Sequence, residues 1–333
     1  MKKLTTAFFF AIYLLTVMFT GVAFAETNCT GWTYFDPDLD TCVACGDSGF
    51  TITTTNLTAN TEFWFNISAM GDFVVDWDDN KIEHITRDTT DATEYSHKYT
   101  TAGVKNIKFC GRATEYNPAN GNNVVAAITF YNGTTSGSHT KIASVSGSMG
   151  SVFPTISNGT NPNQQPRFRS TFQGANNLTS IPATLFDGVS GSADGMFRST
   201  FDKCSKLSVI PYGLFANATG GAPNMFRSTF YQCTGLTSLP EDLFAGITVP
   251  ETDEFMFTFY GTTGLKGKYI PKSTFTGLII NDVNKNTDMW DRTFESSGLI
   301  TTTCPARTKK FLTGYEGTTA KKNMGGTYFL RTC

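Results

Sequence analysis

The chain has 333 residues, 40% of them hydrophobic and 16% charged, which is enough to fold as two modules. Lys+Arg 26 against Asp+Glu 28 leaves a formal net charge of −2. That near-balance excludes the basic excess of a typical nucleic-acid binder.

Residues 1–25 read as a secretory signal peptide. Lys2 and Lys3 open a charged start, "AFFFAIYLLTVMFTG" forms the apolar run, and Ala23-Phe24-Ala25 supplies small residues for cleavage before Glu26. The apolar run is short for a membrane-spanning helix, and no later run replaces it. Loss of both lysines takes the mature charge to −4. The double-Lys start has a bacterial look, which would leave sequons such as Asn56-Leu57-Thr58 without a glycosylation role. Export also decides how to read the 8 cysteines: an even number in an oxidising compartment reads first as disulfides.

Residues 26–48 form a Cys-rich segment with Cys29, Cys42 and Cys45. Together with Cys110 these allow three pairings, of which Cys29–Cys42 with Cys45–Cys110 is the expectation taken. "DPDLD", with Asp36, Asp38, Asp40 and then Asp47, lacks the glycine and terminal glutamate of a calcium loop and is read as a turn.

Residues 49–115 then alternate with period two. Phe50/Ile52, Phe63/Phe65/Ile67, Phe73/Val75/Trp77, Tyr95/His97/Tyr99 and Ile107/Phe109 each place apolar or aromatic residues on one side. Short strands at this spacing predict a β-sandwich. "FVVDWDDN" and "SHKYTTAGVKNIKFCG" resemble the PKD-like immunoglobulin-type sandwich, with its "DWGDG" turn and "SHxYxxxGxYxVxxxG" ending. Here Asp78 and Asn80 stand where that family has glycine, and Asn tolerates positive φ. The resemblance implies a module that spaces or presents other domains, some members binding carbohydrate. Asp76, Asp78 and Asp79 are read as turn residues rather than a metal site, and His97 as a packed strand residue.

"NNVVAAITFY" is a further predicted strand, and "IASVSGSMGSVFPT" from Ile142 to Thr155 looks like a half-repeat cap. Repetition follows. Phe168, Phe197, Phe226 and Phe255 lie 29 residues apart, each with a second Phe four residues on (Phe172, Phe201, Phe230, Phe259). Leu178, Leu207, Leu236 and Leu265 continue each block, then Ile181-Pro182, Ile210-Pro211, Leu239-Pro240 and Ile270-Pro271. Phe186, Phe215, Phe244 and Phe275 close the blocks, and "MWDRTFESSGL" is a degenerate fifth copy. The four-residue aromatic spacing predicts a short amphipathic helix, the Leu-Pro segment a short strand. Such a block cannot bury its aromatic face alone, so neighbours must stack.

Blocks of the form "MFxxTFxxCxxLTSLPxxLF" resemble the leucine-rich repeats of BspA-like bacterial surface proteins, over roughly Ile142 to Leu299. The resemblance implies an α/β leucine-rich-repeat solenoid over residues 116–300 and a secreted or surface-exposed adhesin-like protein. The fold class expected for the whole is thus a β-sandwich followed by that solenoid.

Two faces of the repeats are candidate binding surfaces. Arg169, Arg198 and Arg227 form one ladder, read as a solvated face or as a stripe for an acidic partner. Thr179, Ser208 and Thr237 form another, with hydroxyls suited to a sugar. Cys204 and Cys233 share one repeat position and read as small packed thiols. Residues 301–333 are read as a C-terminal cap closed by a Cys304–Cys333 disulfide. Their six basic residues against Glu316 give a local charge of +5.

Catalytic signatures are missing: the 3 histidines (His84, His97, His139) build no motif, and neither a Walker loop nor a nucleophile elbow occurs. The expectation is a non-enzymatic recognition protein that needs no cofactor or metal and binds an extracellular protein through its repeats. Glycan binding and a purely structural envelope role are the alternatives.

Overall fold

The computed structural model describes residues 29–118, 125–156, 164–249, 251–266, 271, 274–275 and 291–299. The predicted signal peptide and the Cys304–Cys333 cap lie outside the described residues.

Among the described residues ten strands lie in the N-terminal half: β1 (Thr33–Asp36), β2 (Thr41–Ala44), β3 (Phe50–Thr54), β4 (Glu62–Ile67), β5 (Ala69–Asp76), β6 (Ile82–Arg87), β7 (Thr93–Lys98), β8 (Asn106–Tyr116), β9 (Ile128–Thr129) and β10 (Ile142–Gly147). The five-stranded sheet runs β10-β3-β8-β5-β6, the three-stranded sheet β7-β4-β9, and β1-β2 is a separate hairpin. All named pairs are antiparallel.

The alternating residues meet between the two main sheets. Phe50 pairs with Phe109 in register and stacks on it at 4.6 Å, while Phe65 lies edge-on to Phe109 at 5.0 Å and tilted to Trp77 at 5.7 Å. Side chains that point inward at every second position make this layer, so the period-two reading holds in the sandwich. The back of the large sheet is covered as well. Val74, fully buried, packs with Cys45 and Cys110 beneath Trp32 and Tyr34 of the hairpin segment. The cysteines pair as Cys29–Cys42 and Cys45–Cys110, the second bond tying the hairpin to β8.

The turn after β5 takes the shape its sequence allows. Asp78 and Asn80 have φ of 60° and 70°, a region where Asn and Asp are less strained than most residues. Trp77 is fully buried beneath the turn, its carbonyl accepting from the Tyr99 hydroxyl at 2.8 Å.

The second half overturns the expected α/β leucine-rich-repeat solenoid. Of the described residues 28% are strand and only 6% helix, and the three sheets among them all lie within or before β10. Among the described residues from 164 onward there is no α-helix and no named strand, only short 3-10 turns at Ala183–Phe186 and Thr263–Leu265. Each "FRSTF" segment is a run of overlapping four-residue turns instead. Thr171 N bonds to Phe168 O and Ala175 N to Phe172 O, with positive φ at Ser170 and Gly174, the third residue of each turn. The next coils repeat this at Ser199 and Lys203, then at Ser228 and Gln232.

Hydrogen bonding explains the preference. The amides not used within a turn donate to the next coil: Phe168 N to Met196 O, Ser170 N to Arg198 O, Phe172 N to Thr200 O. The amides of Phe168, Ser170 and Phe172 are thereby satisfied only when coils are layered, as buried backbone groups must be. Buried threonines lock the layers: Thr229 Oγ1 donates to Phe197 O and Phe226 O, at 2.9 and 2.8 Å, and Thr200 and Thr258 do the same one coil to either side. The phenylalanines form columns between them, Phe172, Phe201, Phe230 and Phe259 stacking at 5.5–5.7 Å with nearly parallel planes.

The segment read as a half-repeat cap is β10 plus a single helical turn, α1 (Met149–Val152). It belongs to the sandwich and also receives the first coil, since Thr179 N bonds to Ala143 O and Val145 N to Ser180 O. Phe130, after β9, stacks on Phe172 at 5.6 Å. One continuous core therefore runs from Phe50 through Phe294 to Leu299.

Candidate functional site

The arginine ladder exists, one residue per coil. Arg169, Arg198 and Arg227 are each half-buried on the same edge of the turns. Burial lowers the affinity of the Arg169 and Arg198 guanidiniums for their protons, and for Arg198 the flanking Arg169 and Arg227 add to the effect. Two carboxylates offset the three charges in part. Arg227 Nη1 donates to Asp253 Oδ2 at 2.8 Å and to Asn224 Oδ1 at 3.2 Å, while Asp194 attracts Arg169 and Arg198. Met256 occupies the equivalent position in the next coil, so the ladder stops there.

The hydroxyl ladder is placed differently from its reading as a free sugar-binding row. Thr179, Ser208 and Thr237 are exposed, yet Thr179 Oγ1 donates to Ala143 O at 3.0 Å and Thr237 Oγ1 to Ser208 O at 3.1 Å. The Thr179 and Thr237 hydroxyls spend their donors joining one layer to the next.

Cys204 and Cys233 are free, buried thiols whose Sγ atoms donate to Phe172 O and Phe201 O. Burial pushes both thiols upward, which keeps them protonated and unreactive. They are packing residues, layered like the threonines.

The acidic turn of the sandwich is committed to its own geometry. Asp78 Oδ2 accepts from Asn106 N at 2.8 Å, Asp76 Oδ1 from Asp78 N at 3.0 Å, and Asp79 Oδ2 lies 2.6 Å from His97 Nε2. His97 stacks on Trp77 at 5.1 Å, as a packed strand residue. Asp36 and Asp38 both bond to Arg112, at 3.1 and 2.5 Å, which pins the β1-β2 turn to β8. Among the described residues no cluster of three His, Cys, Asp or Glu is placed to hold a metal.

Two carboxyls, Asp202 and Glu254, are buried within the coils. Asp202 is pushed up to about 6 by burial, with Gln173 Nε2 donating to its Oδ2 at 2.7 Å. Glu254 is fully buried; burial raises it to about 8 against the pull of the Glu251 and Ala222 amides that donate to its carboxylate. Its folded value lies above the ordinary 4.5, so folding takes up a proton and stability falls as pH rises from about 4.5 through about 8. Glu254→Gln cannot ionise, though it keeps one acceptor oxygen for the two amides, so its stability relative to the parent is expected to improve as pH rises from 5 to 8. Urea unfolding at the two pH values checks this; a relative stability that improves on acidification would contradict it.

Sequence reading missed an aromatic surface. Position 173 of the first coil recurs as Asp202, Tyr231 and Tyr260. The two tyrosines stack at 4.9 Å, and Phe257 stands edge-on to both, at 6.2 and 5.7 Å. All three are half-exposed. The 29-residue period carried the signal, but a helical reading of the segment gave no reason to follow that position along the stack.

No family model, curated protein or solved structure matches the chain. The PKD-like and BspA-like resemblances accordingly rest on the residues themselves.

Proposed function

We propose that this is an exported, non-enzymatic recognition protein that binds the acidic surface of an extracellular protein through the arginine edge of its layered repeats. The observation that carries this reading is the alignment of Arg169, Arg198 and Arg227 on successive coils, where Arg169 and Arg227 disfavour the charge on half-buried Arg198. A partner carboxylate relieves that repulsion and, opposite arginine, makes charge-assisted bidentate bonds. Two disulfides and the absence of a membrane-crossing helix among the described residues are compatible with an extracellular site of action. The β-sandwich, on this reading, supports and presents the repeats, as the PKD-like resemblance implies.

The test uses beads bearing polyglutamate as a stand-in for an acidic protein surface. The chain is net negative, so retention at low ionic strength must come from a local basic patch. Retention that falls with salt, and is lost in Arg169/Arg198/Arg227→Ala but kept by the parent, is the expected result. The Arg169/Arg198→Ala double variant leaves the Arg227–Asp253 pair intact and serves where the triple variant is unstable. Equal retention of parent and variants would overturn the reading and move the interaction to the basic C-terminal segment.

A further inference from the structure

A shallow groove of about 650 Å³ crosses the coils beyond the arginine edge. Lys203, Ser205, Gln232, Thr234, Tyr260 and Thr263 line it. Its side chains come from repeated positions: Asn176, Ser205, Thr234 and Thr263 are 29 residues apart, and so are Lys203 and Gln232. The groove thus repeats its hydrogen-bonding groups once per coil, and the stacked tyrosines show the spacing, 4.9 Å between ring centroids.

Three features separate this groove from the neighbouring faces. First, its polar side chains are unspent. No side-chain hydrogen bond to another described residue engages Lys203, Ser205, Gln232, Thr234 or Thr263, whereas Thr179 and Thr237 use theirs between layers. Second, it has an aromatic wall. Tyr260 lines the groove with Tyr231 stacked against it, and Phe257 braces the pair. Third, its backbone is fixed. Gln232 N bonds to Tyr260 O, Lys203 N to Tyr231 O and Gly261 N to Glu295 O. Gly261 has φ of +69°, and a Cβ there would approach Gln232 Cγ at 3.1 Å, so the glycine also keeps room beside that side chain.

We propose that this groove binds a neutral polysaccharide, one sugar ring per coil along the stack. Hydroxyl, amide and ammonium groups can each both position and bond sugar hydroxyls, and the apolar face of a pyranose packs on an aromatic ring. A repeating ladder matches a repeating polymer, and a rigid backbone lowers the ordering cost. Lys203 is the single cation among the lining residues, and Glu295 sits in the adjoining coil, so a polyanion is the poorer fit.

The experiment is affinity electrophoresis of the full chain in gels holding β-glucan, xylan, mannan or hydroxyethylcellulose. Retardation by at least one is expected, with Tyr231→Ala/Tyr260→Ala weakening it by about tenfold. Gln232→Ala/Thr234→Ala, which removes one half-buried and one exposed polar side chain and leaves the buried columns untouched, should weaken it as well and decides the matter if the tyrosine variant fails to fold. Arg169/Arg198→Ala should leave retardation unchanged, so failure here is distinct from failure of the arginine reading. No retardation in any gel, or retardation untouched by both groove variants, would overturn the proposal, as would a groove that captures only protein.

Discussion

Phe230→Ala is expected to destabilise the protein by about 3–5 kcal/mol, the usual range for truncating a buried phenylalanine. Phe230 is fully buried at the centre of a column, stacked at 5.5 Å on Phe201 and at 5.5 Å on Phe259, with Phe215 tilted against it at 6.2 Å. The coils above and below are held in place by the threonine bonds of Thr229 and Thr258. They cannot collapse into the gap, so the variant keeps a cavity. Because each coil touches mainly its neighbours, the loss should fall on the repeats more than on the sandwich. A urea titration followed by a repeat-region probe checks this. Tyr212→Ala, at a residue 68% exposed, should change stability by less than about 0.5 kcal/mol. A Phe230 variant as mild as the Tyr212 one would show that the columns are not packed as described.

Loss of the Cys45–Cys110 disulfide is the second large effect. It closes a loop with a sequence separation of 65, for which chain entropy alone gives about 4 kcal/mol. Both cysteines are 1% exposed and pack with Val74, so Cys45→Ala/Cys110→Ala also frees the hairpin that covers the back of the large sheet. Cys29–Cys42 spans only 13 residues, and its half-buried cysteines lie away from that cluster. Cys29→Ala/Cys42→Ala should cost less, about 3 kcal/mol at most on the same reckoning. Melting temperatures of the two double variants give the order directly; the reverse order would contradict the role assigned to the hairpin.

The sandwich was largely legible because period two is decisive when one face of a strand is buried. Phe73, Val75 and Trp77 point inward as read, and even the Asp78 and Asn80 substitutions fit a turn that needs positive φ. Val74 was not legible: nothing local says that the hairpin would cover the other face. In the repeats the columns were legible and the backbone was not. A spacing of four residues between Phe168 and Phe172 suits a helix face, but two successive turns bring the rings to the same side. Ser170, Thr171 and Ser199 carried a hint, since serine and threonine are middling helix formers that readily bond to backbone. The choice between helix and turns is made by bonds from one coil to the next, such as Thr200 Oγ1 to Phe168 O, which no single block contains.

The candidate sites divide along the same line. The arginine ladder was legible from the period, which puts Arg169, Arg198 and Arg227 at one repeat position and Met256 at the same position of the next coil. The Tyr231–Tyr260 pair depends on only two coils carrying the residue, against Gln173 and Asp202 in the others. Whether a hydroxyl such as Thr179 Oγ1 is available or spent is settled only by the neighbouring layer.

The central claim is that the repeats are layered turns joined coil to coil, since both proposed surfaces exist only if successive coils are in register. Amide hydrogen exchange read residue by residue tests it most directly. The amides of Phe197, Ser199, Phe201 and Lys203 donate to Met225, Arg227, Thr229 and Tyr231 of the next coil. They should be protected as strongly as amides in the β3–β8 ladder. Rapid exchange at these four positions, with the sandwich still protected, would contradict the layered arrangement and remove the basis of both surfaces.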